Sequence, residues 1–400
     1  MKLRRLVFLI MPLLIVALAA SAGDEEEIPS LIQRLGGFDR AGYQAASAKL
    51  VEIGKPAVPA LIQALKDPEP GVRARACRIL VDLKVEEAII PIGEVIGDSQ
   101  NWVARSAVYA LGNSGSAAVI PLLQKALGHS HASVREAALY GLERLSAKSS
   151  LPDISRLMLS DPDQYVRWRA MRAIRKLEAG AEIKAMLQTF DDSEAPIGVR
   201  WNAATFLGEL RVKEALPLLL KRFDSADEGL RWRVIEAAGR IGGPEVAEAV
   251  VKKLGDSSLT VRMYAIGVLG KLGDARAVQP LAGLLKDANP QVRMNAIRAL
   301  GRIGGENAAK AVRQSLSDGA HWVRALAVET LVDLKSREHL EAIKLLAKDG
   351  FPLVRSAVMS ALGELGGQDE IGLVKAGTGD DNFWVQEEAR AALTKLQPKE

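Results

Sequence analysis

Cysteine and histidine are scarce in this 400-residue chain, which contains one cysteine and four histidines. One cysteine cannot form a disulfide within the chain, so a fold stabilised by internal disulfides is excluded. Aromatic residues make up only 4% of the chain, whereas 48% of its residues are hydrophobic. The hydrophobic residues are mostly Ala, Leu, Val and Ile, a composition typical of closely packed helices.

The chain also lacks a strong charge of either sign. It has 53 basic and 49 acidic residues, and three of the basic residues lie among the first 22, where no acidic residue occurs. Without those three, 50 basic residues stand against 49 acidic ones. A nearly neutral chain has no long-range field to attract a polyanion, so we expect no nucleic-acid partner.

The only long apolar run lies at the amino terminus. "MKLRR" precedes the apolar segment from Leu6 to Ala20, and the small residues Ala20 and Ala22 follow the order of a signal peptide with its cleavage site. We therefore predict a signal peptide over residues 1–22, a periplasmic or secreted protein, and no membrane span after cleavage. Retention of the segment as an anchor stays open, although Pro12 and its short length argue against a stable span.

One short pattern recurs along the whole chain, an apolar residue followed in most copies by arginine. Successive copies are 31 to 33 residues apart. We number each repeat from the apolar residue, position 0, which is Val72, Val103, Val134, Val166, Val199, Leu230, Val261, Val292, Val323, Val354 and Val385. A diverged twelfth copy begins near Gly42.

Each repeat predicts a helical hairpin. Apolar residues at positions 0, +4, +8 and +11 form one stripe of an α-helix. A shorter helix precedes it, with a proline such as Pro59 or Pro280 near its start. We expect the longer helices to end at glycines, such as Gly112, Gly270, Gly301 or Gly304. Because one hairpin cannot bury its own apolar face, about twelve hairpins of ~31 residues must stack into an all-α solenoid.

The repeats resemble a known family. "DANPQVRMNAIRALGRIGG" (Asp287 to Gly305) is similar to the short HEAT-like repeats of phycobilisome lyases. The resemblance extends from about residue 28 to 396 and implies an armadillo/HEAT-like superhelix, so residues 23–400 are predicted to form a single solenoid. It does not imply one function, because scaffolds, lyases and hydroxylases share such repeats.

Two polar columns predict a ladder of ion pairs between repeats. Carboxylates just before a helix can accept free amide protons and pair with a guanidinium on the same or the next hairpin. The last repeat has Gln386 in place of Arg, where no later repeat follows. The aspartates at −5 are Asp67, Asp98, Asp161, Asp256, Asp287, Asp318, Asp349 and Asp380, and the arginines at +1 are Arg73, Arg135, Arg167, Arg200, Arg231, Arg262, Arg293, Arg324 and Arg355. Cys77, at +5, falls in an otherwise apolar column and is predicted to be core.

No catalytic motif stands out, and we predict neither an enzyme nor a cofactor. The HEAT-like family that the chain resembles includes di-iron hydroxylases, which carry His-Glu pairs. No histidine in this chain is followed by Glu, so the resemblance does not extend to that enzyme. His129 and His131 offer two ligands without further His or Cys nearby, so a metal site is disfavoured.

All six tryptophans fall in two columns, +2 and −1. At about 100° per residue these columns lie near 200° and 260°, with +6 between them, away from the apolar stripe. If the longer helices line the concave surface, these columns form an aromatic strip interleaved with arginine, typical of a binding surface. Packing of the rings between neighbouring helices is the alternative. The predicted partner-binding residues are Trp102, Arg105, Tyr109, Tyr140, Tyr165, Trp168, Arg172, Trp201, Trp232, Met263, Met294, Arg298 and Trp322.

Two functions remain from the sequence. The first is an exported, non-enzymatic scaffold that binds a protein or peptide through this strip, with an envelope polysaccharide as another possible ligand. The second is a lyase-like accessory protein that handles a cofactor or a modified protein. The second requires a closed pocket with convergent acids rather than an open strip, and the place to look for it is around His131, Glu136 and Asp163.

Overall fold

The computed structural model describes residues 27–177 and 180–396, and throughout these ranges the backbone forms helices, turns and bends. The predicted signal peptide, residues 1–22, lies outside the described residues. None of the described helices is both long enough and apolar enough to cross a membrane.

The described residues up to 188 form one compact unit and those from 189 onward form a second, and the division falls within helix α11 (Gly180–Asp191). The first unit contains helices α1 (27–35), α2 (Arg40–Ile53), α3 (Val58–Ala64), α4 (Pro70–Asp82), α5 (Ile89–Glu94), α6 (Asn101–Asn113), α7 (Ile120–Ala126), α8 (Ala132–Arg144), α9 (Leu151–Ser160), α10 (Gln164–Lys176) and the start of α11 (Gly180–Asp191). The second contains α12 (Ile197–Glu209), α13 (Leu216–Lys221), α14 (Glu228–Ile241), α15 (Pro244–Val251), α16 (Leu259–Leu272), α17 (Val278–Gly283), α18 (Pro290–Ile303), α19 (Glu306–Arg313), α20 (His321–Asp333), α21 (Leu340–Lys344), α22 (Pro352–Leu365), α23 (Ile371–Gly377) and α24 (Phe383–Leu396).

Odd-numbered and even-numbered helices alternate as the two arms of helical hairpins. From α4 to α24, every even-numbered helix begins two residues before position 0 of its repeat. Successive even-numbered helices pack side by side within each unit, as α6 does on α8 and α12 on α14. The predicted all-α solenoid of about twelve hairpins is thus confirmed as the fold class.

The apolar stripe forms the core. Val103, Ala107 and Leu111, at positions 0, +4 and +8 of α6, have no exposed surface. Cys77 is also fully buried, as predicted, and burial raises the pKa of its thiol to about 12.

Glycines at position +9 set the distance between neighbouring long helices. The prediction that helices end at Gly112, Gly270 and Gly301 is wrong, since all three lie inside helices; only Gly304, with φ 77°, follows the end of its helix. A Cβ atom built on Gly270 lies 2.9 Å from the Cα atom of Ala299, at +7 of the next long helix. The helices approach too closely there for a side chain, which is why glycine occurs at a position otherwise suited to a good helix former.

Two alanine substitutions in α16 should have opposite effects. Gly270→Ala forces the backbone of α16 away from Ala299, and we expect it to lower the free energy of unfolding by about 1–3 kcal/mol. Gly267→Ala, where an added Cβ meets nothing within 4 Å, should raise it by about 0.5–1 kcal/mol. Urea denaturation measures both changes, and equal effects would show that no close approach limits position +9.

The predicted ladder joins successive hairpins. In Arg293, Nε donates to Asp318 Oδ2 at 2.7 Å and Nη2 to Asp318 Oδ1 at 2.8 Å, while Nη1 donates to the carbonyl of Asp287 at 2.8 Å. Each such arginine therefore binds its own hairpin through a carbonyl and the next hairpin through a carboxylate. Bidentate pairs of this kind among the described residues are Arg73–Asp98, Arg135–Asp161, Arg231–Asp256, Arg293–Asp318, Arg324–Asp349 and Arg355–Asp380.

Each aspartate of the ladder also orders the turn before its helix. Asp98 Oδ1 accepts the amide of Gln100 at 2.8 Å, and in the third repeat His129 Nδ1 takes this role by accepting the amide of His131 at 3.0 Å. At the last repeat, Gln386 Nε2 donates to the carbonyl of Asp380 at 2.7 Å. Glutamine thus keeps the carbonyl contact that arginine makes at this position in other repeats.

Candidate functional site

The predicted strip is divided between the two units. We call its seven residues in the first unit the first strip: Trp102, Arg105, Tyr109, Tyr140, Tyr165, Trp168 and Arg172. We call its six residues in the second unit the second strip: Trp201, Trp232, Met263, Met294, Arg298 and Trp322.

In the first strip, aromatic rings and guanidinium groups form a row across α6, α8 and α10. The rings of Tyr109 and Tyr140 are 5.4 Å apart between centroids and tilted by 52°. The guanidinium carbon of Arg105 lies 5.9 Å from the Tyr109 ring, and that of Arg169 lies 5.3 Å from the Tyr140 ring. These distances are suited to cation–π attraction, which stabilises the row. Both tyrosines are half-buried.

The other members of the first strip are more exposed. Trp102 keeps 47% of its surface exposed, Tyr165 74% and Trp168 38%. Arg172 is exposed as well. Aromatic side chains of this size are usually covered by their own protein, so their exposure marks this face of the first unit as a candidate contact surface.

In the second strip, tryptophans combine partial exposure with contacts between neighbouring repeats. Trp201 Nε1 donates to Asp227 Oδ1 at 2.8 Å, and the Arg233 guanidinium lies 4.5 Å from the Trp201 ring and 3.9 Å from the Trp232 ring. The Trp232 ring stacks on Tyr264 at 4.5 Å with an interplanar angle of 16°. Both tryptophans are half-buried, so they pack between neighbouring helices, as the alternative interpretation expects, and keep part of their surface exposed; partner binding through them stays a prediction.

The remaining second-strip residues continue along α16, α18 and α20. Met263 Sδ accepts a hydrogen bond from Asn295 Nδ2 at 3.4 Å. Met294 is half-buried and Arg298 is exposed. Trp322 is 42% exposed, and beside it the His321 ring stacks on Phe351 at 4.0 Å between centroids.

Sequence reasoning missed the column at +3, which carries Arg169, Arg233, Tyr264 and Asn295. In the second unit, a side chain at +2 of one helix contacts a side chain at +3 of the next, as in Trp201–Arg233, Trp232–Tyr264 and Met263–Asn295. Position +3 lies about 100° beyond +2, on the side of its helix that faces the preceding long helix. The concentration of Arg, Tyr and Asn in that column was the available signal.

Two of the three residues considered for an enclosed pocket, His131 and Asp163, serve as helix caps, while Glu136 lies half-buried within α8. The Asp163 carboxylate accepts the amides of Tyr165 at 2.8 Å and Val166 at 3.2 Å, at the start of α10. His131 Nδ1 accepts the amide of Ser133 at 3.4 Å, at the start of α8. Among residues 27–177 and 180–396, no group of three or more His, Cys, Asp or Glu side chains is placed to hold a metal ion.

One cavity of about 740 Å³ lies in the second unit beside α20 and α22. Its lining includes Glu329, Asp333 and Glu364 together with Lys335 and Arg337. Burial and the neighbouring Asp333 charge raise the pKa of Glu329. None of the thirteen predicted residues is among those that line it.

Repeated hairpins with this ladder and an exposed face of long helices define a HEAT-type repeat protein. Residues 28–111, 91–175, 183–258, 248–331 and 311–394 match the family described as HEAT repeats, and the chain belongs to that family.

The karyopherin Kap121p is a similar solved structure, with a TM-score of 0.64 and 12% identity over 93% of this chain and 49% of Kap121p. Its complexes with the extreme C-terminus of the protein phosphatase Cdc14p and with Nup53p give the same TM-score and identity over 93% of this chain, covering 50% and 49% of those chains. This chain thus spans about half the length of that karyopherin, and at this identity the likeness shows the fold alone. No curated protein matches the chain.

Proposed function

We propose that this HEAT-repeat protein is an exported, non-enzymatic scaffold that binds a protein or peptide partner through the first and second strips. The observation that carries the proposal is that all six tryptophans are partly exposed and lie in two columns, −1 and +2, of one helix face. Tryptophan, tyrosine and arginine dominate the binding energy of protein interfaces because they bury large surfaces and still form polar contacts.

Export rests on the amino-terminal sequence, where a basic start, an apolar segment and small residues before Gly23 stand in the order of a signal peptide. The similar karyopherin structures support a peptide-like partner, since one of them is bound to the extreme C-terminus of another protein. We favour partner binding over a lyase-like activity, because His131 and Asp163 already serve as helix caps.

Site-specific photo-cross-linking in living cells tests the proposal. A benzoylphenylalanine side chain placed at Tyr165 or at Trp322 should give discrete protein adducts in the envelope fraction, because both positions present exposed aromatic surface on the strips. Adducts are measured by mobility and mass spectrometry, and loss of the added mass on protease treatment identifies the partner as protein.

Exposed apolar residues outside the strips provide matched controls. Ile90 is 66% exposed in the first unit and Leu345 is 83% exposed in the second, yet neither belongs to a strip. The same photoreactive side chain should give no discrete adduct there. Equal adducts at all four positions, or adducts that resist protease and carry sugar, would contradict a protein-binding strip.

A further inference from the structure

We infer that the first unit binds an extended acidic segment of its partner, a claim that rests on the proposed function and specifies the partner's chemistry. The surface concerned, called the basic face, comprises Arg105, Tyr109, Tyr140, Arg144, Arg169 and Arg172. It lies on α6, α8 and α10, three long helices that pack side by side in the first unit.

Positive charge on the basic face is only partly neutralised. Arg169 Nη2 contacts Glu143 Oε2 at 2.8 Å, and Lys176 Nζ contacts Glu143 Oε1 at 3.3 Å, so two cations share one carboxylate. Arg105, Arg144 and Arg172 are exposed, and within the described part of the chain none of them has an ion-pair partner. A ligand that brings carboxylates would find donors already fixed on rigid helices.

The nearly neutral net charge of the chain does not reveal this basic surface, because the second unit carries acidic residues in the corresponding columns. There, positions +6 and +10 include Glu209, Glu236, Glu329, Asp333 and Glu364, interspersed with arginines and lysines. In the first unit, the same columns of α8 and α10 carry Tyr140, Arg144, Arg172 and Lys176. In these columns α8 and α10 of the first unit thus carry no acidic residue, whereas the second unit carries residues of both signs.

The size of the basic face fits a short extended peptide. Neighbouring packed helices lie about 8–10 Å apart, so α6 to α10 spans about 20 Å. At ~3.3 Å per residue, about six residues of an extended chain cover that distance. Tyr109 and Tyr140, half-buried at the centre of the row, offer ring faces to apolar or aromatic side chains between the acidic ones.

A peptide fits this face better than a single-stranded nucleic acid. Glu143 lies beneath Arg169 and Lys176, and Glu136 occupies the +2 column of α8 between Arg105 and Trp168. A phosphate backbone that tracked the row would meet both carboxylates, whereas a peptide can place neutral residues opposite them. Backbone tracking by nucleic acid requires an uninterrupted positive groove.

Fluorescence anisotropy with the full chain tests this inference. The probe is a fluorescein-labelled decapeptide of alternating Glu and Tyr, compared with the Gln/Tyr and Lys/Tyr versions and with a ten-nucleotide oligothymidylate. We expect the Glu/Tyr peptide to bind at least about tenfold more tightly than the other three, and its affinity to fall as salt rises from about 50 to 500 mM.

Two double variants locate the binding. Arg105→Gln with Arg172→Gln should weaken the Glu/Tyr peptide at least about tenfold, without changing the thermal melt, because both side chains are exposed. Lys271→Gln with Arg302→Gln, which removes two exposed cations from α16 and α18 in the second unit, outside both strips, should leave the affinity unchanged.

Equal weakening by both double variants, equal binding of the Gln/Tyr peptide, or tighter binding of the oligothymidylate would each overturn the inference. The proposed function is judged separately. A cross-linked protein at Tyr165 whose contacting segment is not acidic overturns the acidic-segment inference and leaves the scaffold function standing, whereas failure of the cross-linking overturns both.

Discussion

Arg293→Gln should lower the free energy of unfolding by about 3 kcal/mol, the cost of leaving a desolvated carboxylate without its partner. The Asp318 side chain is only 7% exposed and receives two hydrogen bonds from the arginine at 2.7 and 2.8 Å. Glutamine can keep the contact to the Asp287 carbonyl, as Gln386 does with Asp380, but it cannot supply the charge. Urea denaturation followed by circular dichroism measures the loss.

Arg262→Gln, in the preceding repeat, is the matched control. Arg262 donates to the carbonyls of Asp256 and Ser257 at 2.7 and 3.1 Å, and its buried Nε has no hydrogen-bond partner. Glutamine removes that unsatisfied donor and can keep one carbonyl contact, so the change should cost less than about 1 kcal/mol. If the two variants lose the same stability, the inter-repeat carboxylate is not what the arginine column stabilises.

Acidification should destabilise the protein mainly below pH 4, where the ladder aspartates become protonated. Hydrogen bonds from Arg73 hold the pKa of Asp98 below its ordinary value of 3.8, and those from Arg355 lower the pKa of Asp380 to about 2. A depressed folded-state pKa contributes stability that is fully present above the unfolded-state value and is lost as pH falls through the folded-state value. For Asp380 that window runs from about pH 4 to about pH 2.

Asp98→Asn tests this origin of the acid sensitivity. The variant should be less stable than the original protein at pH 7 but lose less additional stability between pH 5 and pH 2.5, because the titrating partner of Arg73 is gone. Asp287→Asn is the control, since Asp287 accepts the amide of Asn289 at 2.8 Å but has no bidentate arginine. Urea unfolding at each pH supplies the comparison; an undiminished acid loss in Asp98→Asn contradicts the assignment.

The repeat register, the core and the ladder could be predicted because each depends on spacing alone. A period of 31 to 33 residues fixes which residues are equivalent, and 3.6-residue helical periodicity then places positions 0, +4 and +8 inside. The interpretation of Gly112, Gly270 and Gly301 failed because glycine serves both as a helix terminator and as a contact point, and the sequence does not distinguish these uses. Only the position of Ala299 against Gly270 identifies the second.

The candidate site was predicted less completely for a similar reason. Periodicity placed Trp201 and Trp232 away from the apolar stripe of their helices, but it did not predict the contacts that hold them. Their partners Arg233 and Tyr264 come from the next repeat, and which column of one helix meets which column of its neighbour depends on how two helices cross. The sequence of one repeat does not contain that angle.

The direction of the ladder bears on how such a chain can change in length. Each paired arginine of the ladder binds the aspartate of the following repeat. Residues 323–353 therefore contain both Arg324 and its partner Asp349, while Arg293–Asp318 lies wholly before them and Arg355–Asp380 wholly after. If a segment that begins and ends at position 0 is duplicated or excised, complete Arg–Asp pairs are therefore added or removed. No buried charge of the ladder is left without its partner. Genetic recombination that adds or removes whole hairpins can therefore lengthen or shorten the surface of this protein while every ladder pair stays complete.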